Sequence, residues 1–167
     1  MGNRAIKTFF KNFRTDIIVN LVIFPLLIFG LFFILYMAFP DSIEYEIKTM
    51  HIGSLELSVA IADTARLQVR GLSDQDALCE DCGMLFVYDD SKIRRFWMKH
   101  MRFNLDVLWI DDGHVAGMQE NIPFEPKNGQ ITRFQSEIVV NMALEVNAGW
   151  IAKNGVKIGD RVVVDSN

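Results

Sequence analysis

The 167-residue chain is poor in the residues that mark several common chemistries: it has two cysteines and three histidines. No second C-x-x-C accompanies Cys79-Glu80-Asp81-Cys82, and no H-x-x-x-H occurs. A closed zinc site, which needs four such ligands, therefore has no sequence basis. Gly-x-Ser-x-Gly, the phosphate-binding loop and the dinucleotide fingerprint are all missing, so a nucleophile elbow and a nucleotide cradle are not encoded in their familiar forms. Internal repeats, heptads and low-complexity tracts are absent as well. Positive charge is also short, with 17 Lys and Arg against 21 Asp and Glu, a net −4. That balance argues against a nucleic-acid partner, which would favour a basic face.

What the chain does have is one long apolar run. Residues 17–39 contain Asn20 as their only strongly polar side chain. In a helix rising about 1.5 Å per residue these 23 residues would span roughly 34 Å, enough for a ~30 Å hydrocarbon core. Residues 1–16 hold Arg4, Lys7, Lys11 and Arg14 against Asp16, a balance of +3. Lys and Arg stay on the cytoplasmic side, so 1–16 reads as a cytoplasmic basic head and 17–39 as an uncleaved transmembrane signal anchor. A cleaved signal fits less well, because its apolar core is shorter and bulky Tyr36 stands where a cut after Ala38 needs a small residue. The expected location is the cytoplasmic membrane, single-pass, with the C-terminal part outside in the periplasm or extracellular space.

Beyond the anchor, residues 40–50 read as a juxtamembrane connection or first strand, and 51–167 as one exported domain. Residues 40–167 together carry 13 Lys and Arg against 20 Asp and Glu, a net −7. Leu55, Leu57, Val59 and Ile61 alternate with smaller or polar residues, a strand pattern, with a hairpin expected through Gly53-Ser54. Ile43, Tyr45 and Ile47 alternate upstream. Asp63 or Thr64 caps a short helix ending at Gly71. Met84–Tyr88, Arg95–Met101, Leu105–Ile110, His114–Gln119 and Met142–Val146 read as strands, and Ala148–Asn154 as a helical turn. The expected fold is α+β and β-dominated: a compact barrel-like or sandwich domain of short strands with one or two short helices, preceded by one transmembrane helix.

Cys79 and Cys82 admit three readings. Outside the cytoplasm a structural disulfide is favoured. A redox couple needs a stabilised thiolate, which Asp76, Glu80 and Asp81 oppose. Metal handling, with copper or zinc, would use Cys79, Cys82 and His100, since thiolate and imidazole suit those ions. On a strand Met98 and His100 would share a face. Met84 and Met98 equally suit a core.

The order Arg70-Gly71-Leu72, Gly83-Met84-Leu85-Phe86, Phe96-Trp97-Met98-Lys99, Leu105-Asp106, Leu144-Glu145 with Gly149, and Gly159-Asp160 resembles the bacterial and archaeal domain of unknown function 192 family. The match runs from about Ile52 to Val164. The resemblance implies a small, mainly β domain, often exported, with no established activity. His100-Met101 stands where the family usually has Asn-Thr, and the cysteine pair lies outside the family pattern. Arg70, Trp97, Asp106 and Glu145 are the candidate ligand-binding residues, either a polar pocket or a structural ion pair beside a packed indole. Asp106 lies on an apolar strand and needs a donor, which Arg70 could supply. Glu145 faces away from the stripe of Met142, Leu144 and Val146.

The expected function is a membrane-tethered extracytoplasmic binding or accessory domain, non-catalytic and without a cofactor. Its partner would be a small ligand, an envelope component or a membrane protein. The alternatives are a copper-like metal-handling protein and an enzyme, either a thiol oxidoreductase or a carboxylate-dependent hydrolase.

Overall fold

The computed structural model describes residue 21 and residues 24–38, 43–124 and 129–165. The chain divides into two compact units, Met1–Ile43 and Glu44–Asn167. In the first, helix α1 (Phe24–Ala38) has 15 residues and no charged side chain. Leu26, Phe29, Phe32 and Ile34 are each more than half exposed. The helix is shorter than the expected span, whose residues 17–20, 22, 23 and 39 lie outside the described ones. Among the described residues no helix is long and apolar enough to cross a membrane.

The second unit is a β-dominated α+β domain. Its elements are β1 (Glu46–Ile52), β2 (Leu55–Ala62), α2 (Ala65–Arg70), β3 (Cys82–Lys92), β4 (Arg95–Trp97), β5 (Leu105–Asp111), β6 (His114–Ile122), β7 (Arg133–Gln135), β8 (Val140–Asn147), α3 (Trp150–Asn154) and β9 (Val162–Val164). Seven strands form one sheet in the order β6-β5-β8-β3-β2-β1-β9, and β4 and β7 form a separate ribbon. Among the described strands only β2 and β3 pair in parallel, joined by the crossover that carries α2. The sheet curls into a half-barrel. At one corner the segment leading into β9 reaches β6, where Val115 N donates to Asp160 O and Gly159 N to Val115 O.

Local chemistry explains the turns. The pair Ile52↔Leu55 leaves a two-residue loop, and Gly53 supplies its positive φ of 59°. Asp112 and Gly113 are both left-handed between Asp111 and His114, the conformation a tight hairpin needs. Thr64 Oγ1 accepts from Leu67 N and starts α2, and Gly71 ends it.

Two apolar cores lie on the two faces of the sheet. Inside the curl, Met50, Ile52, Leu57, Val59, Leu85, Leu108 and Leu144 are closed off by Trp150 and Ile151 of α3. On the outer face, Met84, Phe86, Val107, Trp109 and Ala143 are covered by the crossover and by Phe96 and Phe134 of the ribbon. The upstream alternation at Ile43, Tyr45 and Ile47 does not mark the inner face. Met50 and Ile52 are the buried residues of β1, and Ile47 is exposed. The strand expected over Arg95–Met101 stops at Trp97. Met98 N bonds to Thr132 O, and His100 is left-handed at φ 57°, so the Met98–His100 face-sharing does not arise.

Candidate functional site

The site is built on strand register. Glu145 lies opposite Met84 on β3 and Val107 on β5, so it points to the outer face with Phe86 and Tyr88, which follow Met84 at two-residue steps. Above it, the crossover and the ribbon leave a pocket of about 230 Å³. Arg70 and Gly71 form one wall, Phe86 and Tyr88 a second, and Phe96 and Trp97 a third, with Glu145 at the floor.

The walls are fixed by contacts of their own. Phe96 packs edge-on to Phe86 at 5.0 Å and stacks on Phe134 at 5.6 Å, which seats β4 over the sheet. Gln68 Nε2 donates to Val87 O at 2.9 Å and holds α2 to β3. Tyr45 donates its hydroxyl to Gly71 O at 3.0 Å. Ser73 Oγ donates to Lys99 O, and Asp74 N to His100 O, tying the crossover to the loop after β4. Trp97 is 46% exposed and forms the outer lip.

Glu145 is only 5% exposed. Among the described residues no group donates a hydrogen bond to its carboxyl. Burial pushes that carboxyl up to about 8, because a charge there would be stripped of water without compensation. At neutral pH it carries its proton. Burial likewise pushes Tyr88 up to about 12, against the pull of Arg94 and with a further push from Glu145. Tyr45 is raised by burial, partly offset by Arg70 and reinforced by Glu145. The arginines nearby are engaged elsewhere. Arg70 pairs with Asp74 at 2.9 Å, Arg94 lies 3.8 Å from the Tyr88 ring centre and bonds Asp90, and Arg95 bonds Gln135.

The family model DUF192 ("Uncharacterized ACR") matches residues 47–164, most of the chain. The chain belongs to the DUF192 family. The domain is similar to a solved protein of Sinorhizobium meliloti assigned provisionally as a transcription regulator. That likeness has 27% identity and a TM-score of 0.67, covering 74% of this chain and 98% of that one. It is also similar to a Novosphingobium aromaticivorans protein of unknown function, at 25% identity and a TM-score of 0.61, over 75% of this chain and 89% of that one. No curated protein matches the chain.

Of the four candidate ligand-binding residues, the DUF192 domain brings Arg70, Trp97 and Glu145 to one pocket and places Asp106 elsewhere. Asp106 lies opposite Val146, one residue out of step with Glu145, and therefore emerges inside the curl. It is fully buried, and its donors are backbone amides rather than Arg70: Asn121 N at 2.8 Å and Ile151 N at 3.1 Å. It secures the irregular step between β5 and β6 and the start of α3.

Cys79 and Cys82 are joined in a disulfide. The ring is docked on the end of the sheet and on α3: Asn147 Nδ2 donates to Cys79 O, Ser58 N to Asp81 O, and Lys153 pairs with Glu80. Neither cysteine lines the pocket. Cys79, Cys82 and His100 do not come together, and among the described residues no group of three or more His, Cys, Asp or Glu is placed to hold a metal ion. His100 lies instead 3.9 Å from Asp74.

Sequence reasoning missed Tyr45, Phe86, Tyr88 and Phe96. Met84, Phe86 and Tyr88 share a strand face, a signal present in the sequence. Its relevance depends on the pairing of Met84 with Glu145.

Proposed function

We propose that the chain is a membrane-tethered binding module whose DUF192 domain takes up a small ligand in the pocket over Glu145. Residues 17–39 serve as the single-pass anchor, with the basic head in the cytoplasm and the domain outside the cytoplasmic membrane. The binding half rests on one observation above others: a buried carboxyl, without a hydrogen-bond partner among the described residues, forms the floor of an aromatic-walled pocket. Its oxygens open onto the pocket, so a ligand entering there can pair them in place of water. Four of the segments that carry the family resemblance, those of Arg70, Phe86, Trp97 and Glu145, meet at this pocket. The anchor half rests on the length of the apolar run, the charge asymmetry around it and the apolar surface of α1.

The geometry favours binding over hydrolysis. Glycoside hydrolysis by paired carboxylates needs both groups to face one bond, and Asp106 faces away from Glu145. The docked disulfide lies outside the pocket, which weighs against thiol chemistry there.

The test is a small-molecule screen by NMR on the full chain, repeated on Glu145→Gln and Trp97→Ala. Hits are expected to shift resonances around the pocket and to weaken about tenfold or more in either variant, the loss of one buried polar contact or aromatic wall. Hits that bind both variants as tightly as the parent would remove the pocket from the function. For the anchor, a reporter fused after Asn167 should be active only outside the cytoplasm, and cytoplasmic activity would reverse the topology.

A further inference from the structure

The pocket over Glu145 also constrains the chemistry of its occupant, an inference that rests on the pocket being a binding site. Its volume, about 230 Å³, holds roughly eight waters at ~30 Å³ each, so the group it accepts is of side-chain size rather than drug size. The rings of Phe86, Tyr88, Phe96 and Trp97 line it. Aromatic faces carry negative potential and attract cations, an attraction that strengthens when the cation is desolvated. At the floor lies an acid with no countercharge among the described residues.

That missing countercharge is specific. Arg70 comes from α2 but is held by Asp74, and Arg95 comes from β4 but bonds Gln135. Arg94 is drawn over the Tyr88 ring and onto Asp90. Among the described residues the remaining titratable groups near Glu145, the hydroxyls of Tyr45 and Tyr88, bring no positive charge, and no lysine lines the pocket. An anionic ligand would find Arg70 already paired with Asp74 and only Arg95, whose partner Gln135 is neutral, to offset its charge. A neutral ligand could accept the one hydrogen bond of the protonated acid but would leave the aromatic rings without a cation. A cation satisfies both the rings and the acid.

We propose that the pocket's occupant is a small organic primary amine, bound as its ammonium against Glu145 with the aromatic rings around its apolar stem. On binding, Glu145 releases its proton to solvent and the ammonium supplies the missing charge. Because Glu145 holds that proton up to about pH 8 in the free protein, affinity should rise about tenfold per pH unit below that point.

The experiment uses the full chain labelled with ¹³C in its glutamate side chains, titrated with butylammonium chloride, butanol and sodium butyrate between about pH 6 and pH 8. Three results are expected together. Butylammonium binds at least about tenfold more tightly than either analogue at pH 7, moves the Glu145 carboxyl signal to its ionised position, and gains affinity with pH as stated. In Glu145→Gln, folded by its amide spectrum, the preference for the amine is expected to disappear. Trp97→Ala, at a half-exposed position, should weaken the amine while leaving Glu145 titratable. Equal or tighter binding of butanol or butyrate at Glu145 would overturn the amine and leave the pocket standing as a binding site. No effect of any of the three on Glu145 would overturn the amine and the pocket reading together.

Discussion

Asp106 and Glu145 sit on neighbouring strands, both buried, and the fold treats them in opposite ways. Asp106 accepts two backbone N–H groups and is a structural fastener. Glu145 accepts none among the described residues and stays protonated at neutral pH. The two should therefore respond differently to substitution. Asp106→Ala leaves the Asn121 and Ile151 amides unpartnered and is expected to cost about 2–4 kcal/mol in urea unfolding. Glu145→Gln is expected to stabilise, with a dependence on pH. The unfolded acid ionises near 4.5, whereas the folded one keeps its proton to about 8. The parent protein is thus favoured below pH 4.5 and loses stability as pH rises from there towards 8. At ~1.4 kcal/mol per unit the loss by pH 7 is about 3 kcal/mol, and the amide variant should lack it. Equal pH slopes in the two proteins would contradict this assignment. The sequence shows both acids among apolar neighbours. It does not show that they face opposite ways, because that depends on Asp106 meeting Val146, a pairing between distant strands.

At the scale of elements, what was legible is what local chemistry decides. The Thr64 cap with Gly71 defines α2, Gly53-Ser54 defines the hairpin between β1 and β2, and the alternation from Leu55 to Ile61 defines β2. The misread elements are those whose ends are set by partners. Beyond Trp97 the chain departs from a strand because Lys99 O and His100 O are taken by the crossover at Ser73 and Asp74. The Cys79–Cys82 ring belongs to the same scale. Its loop is short, so losing the bond should release only about 2 kcal/mol of unfolded-chain constraint. Cys79→Ser with Cys82→Ser is therefore expected to lower stability by about that amount in urea unfolding and to leave the Glu145 titration unchanged. A displaced Glu145 titration would mean that the ring shapes the pocket.

For the domain as a whole, the decisive feature is that one curled sheet has two buried faces. The inner face is a packed core closed by α3, and the outer face is roofed incompletely by a crossover and a short ribbon. The gap in that roof is the pocket, and Glu145 is the polar residue its floor exposes. Residues 142–146 by themselves show only an acid pointing away from a core stripe, which leaves solvent or a cleft as its surroundings. The ribbon and crossover, assembled from distant segments, convert that solvent face into a cleft. What the pocket can bind turns on the state of this one carboxyl. Its most direct measurement is a ¹³C NMR titration of the Glu145 side chain in the ligand-free full chain. A midpoint near 8 is expected, with the group protonated at neutral pH. A midpoint in the ordinary carboxylate range, near 4.5, would mean that Glu145 is solvated or paired, and would contradict that protonated state.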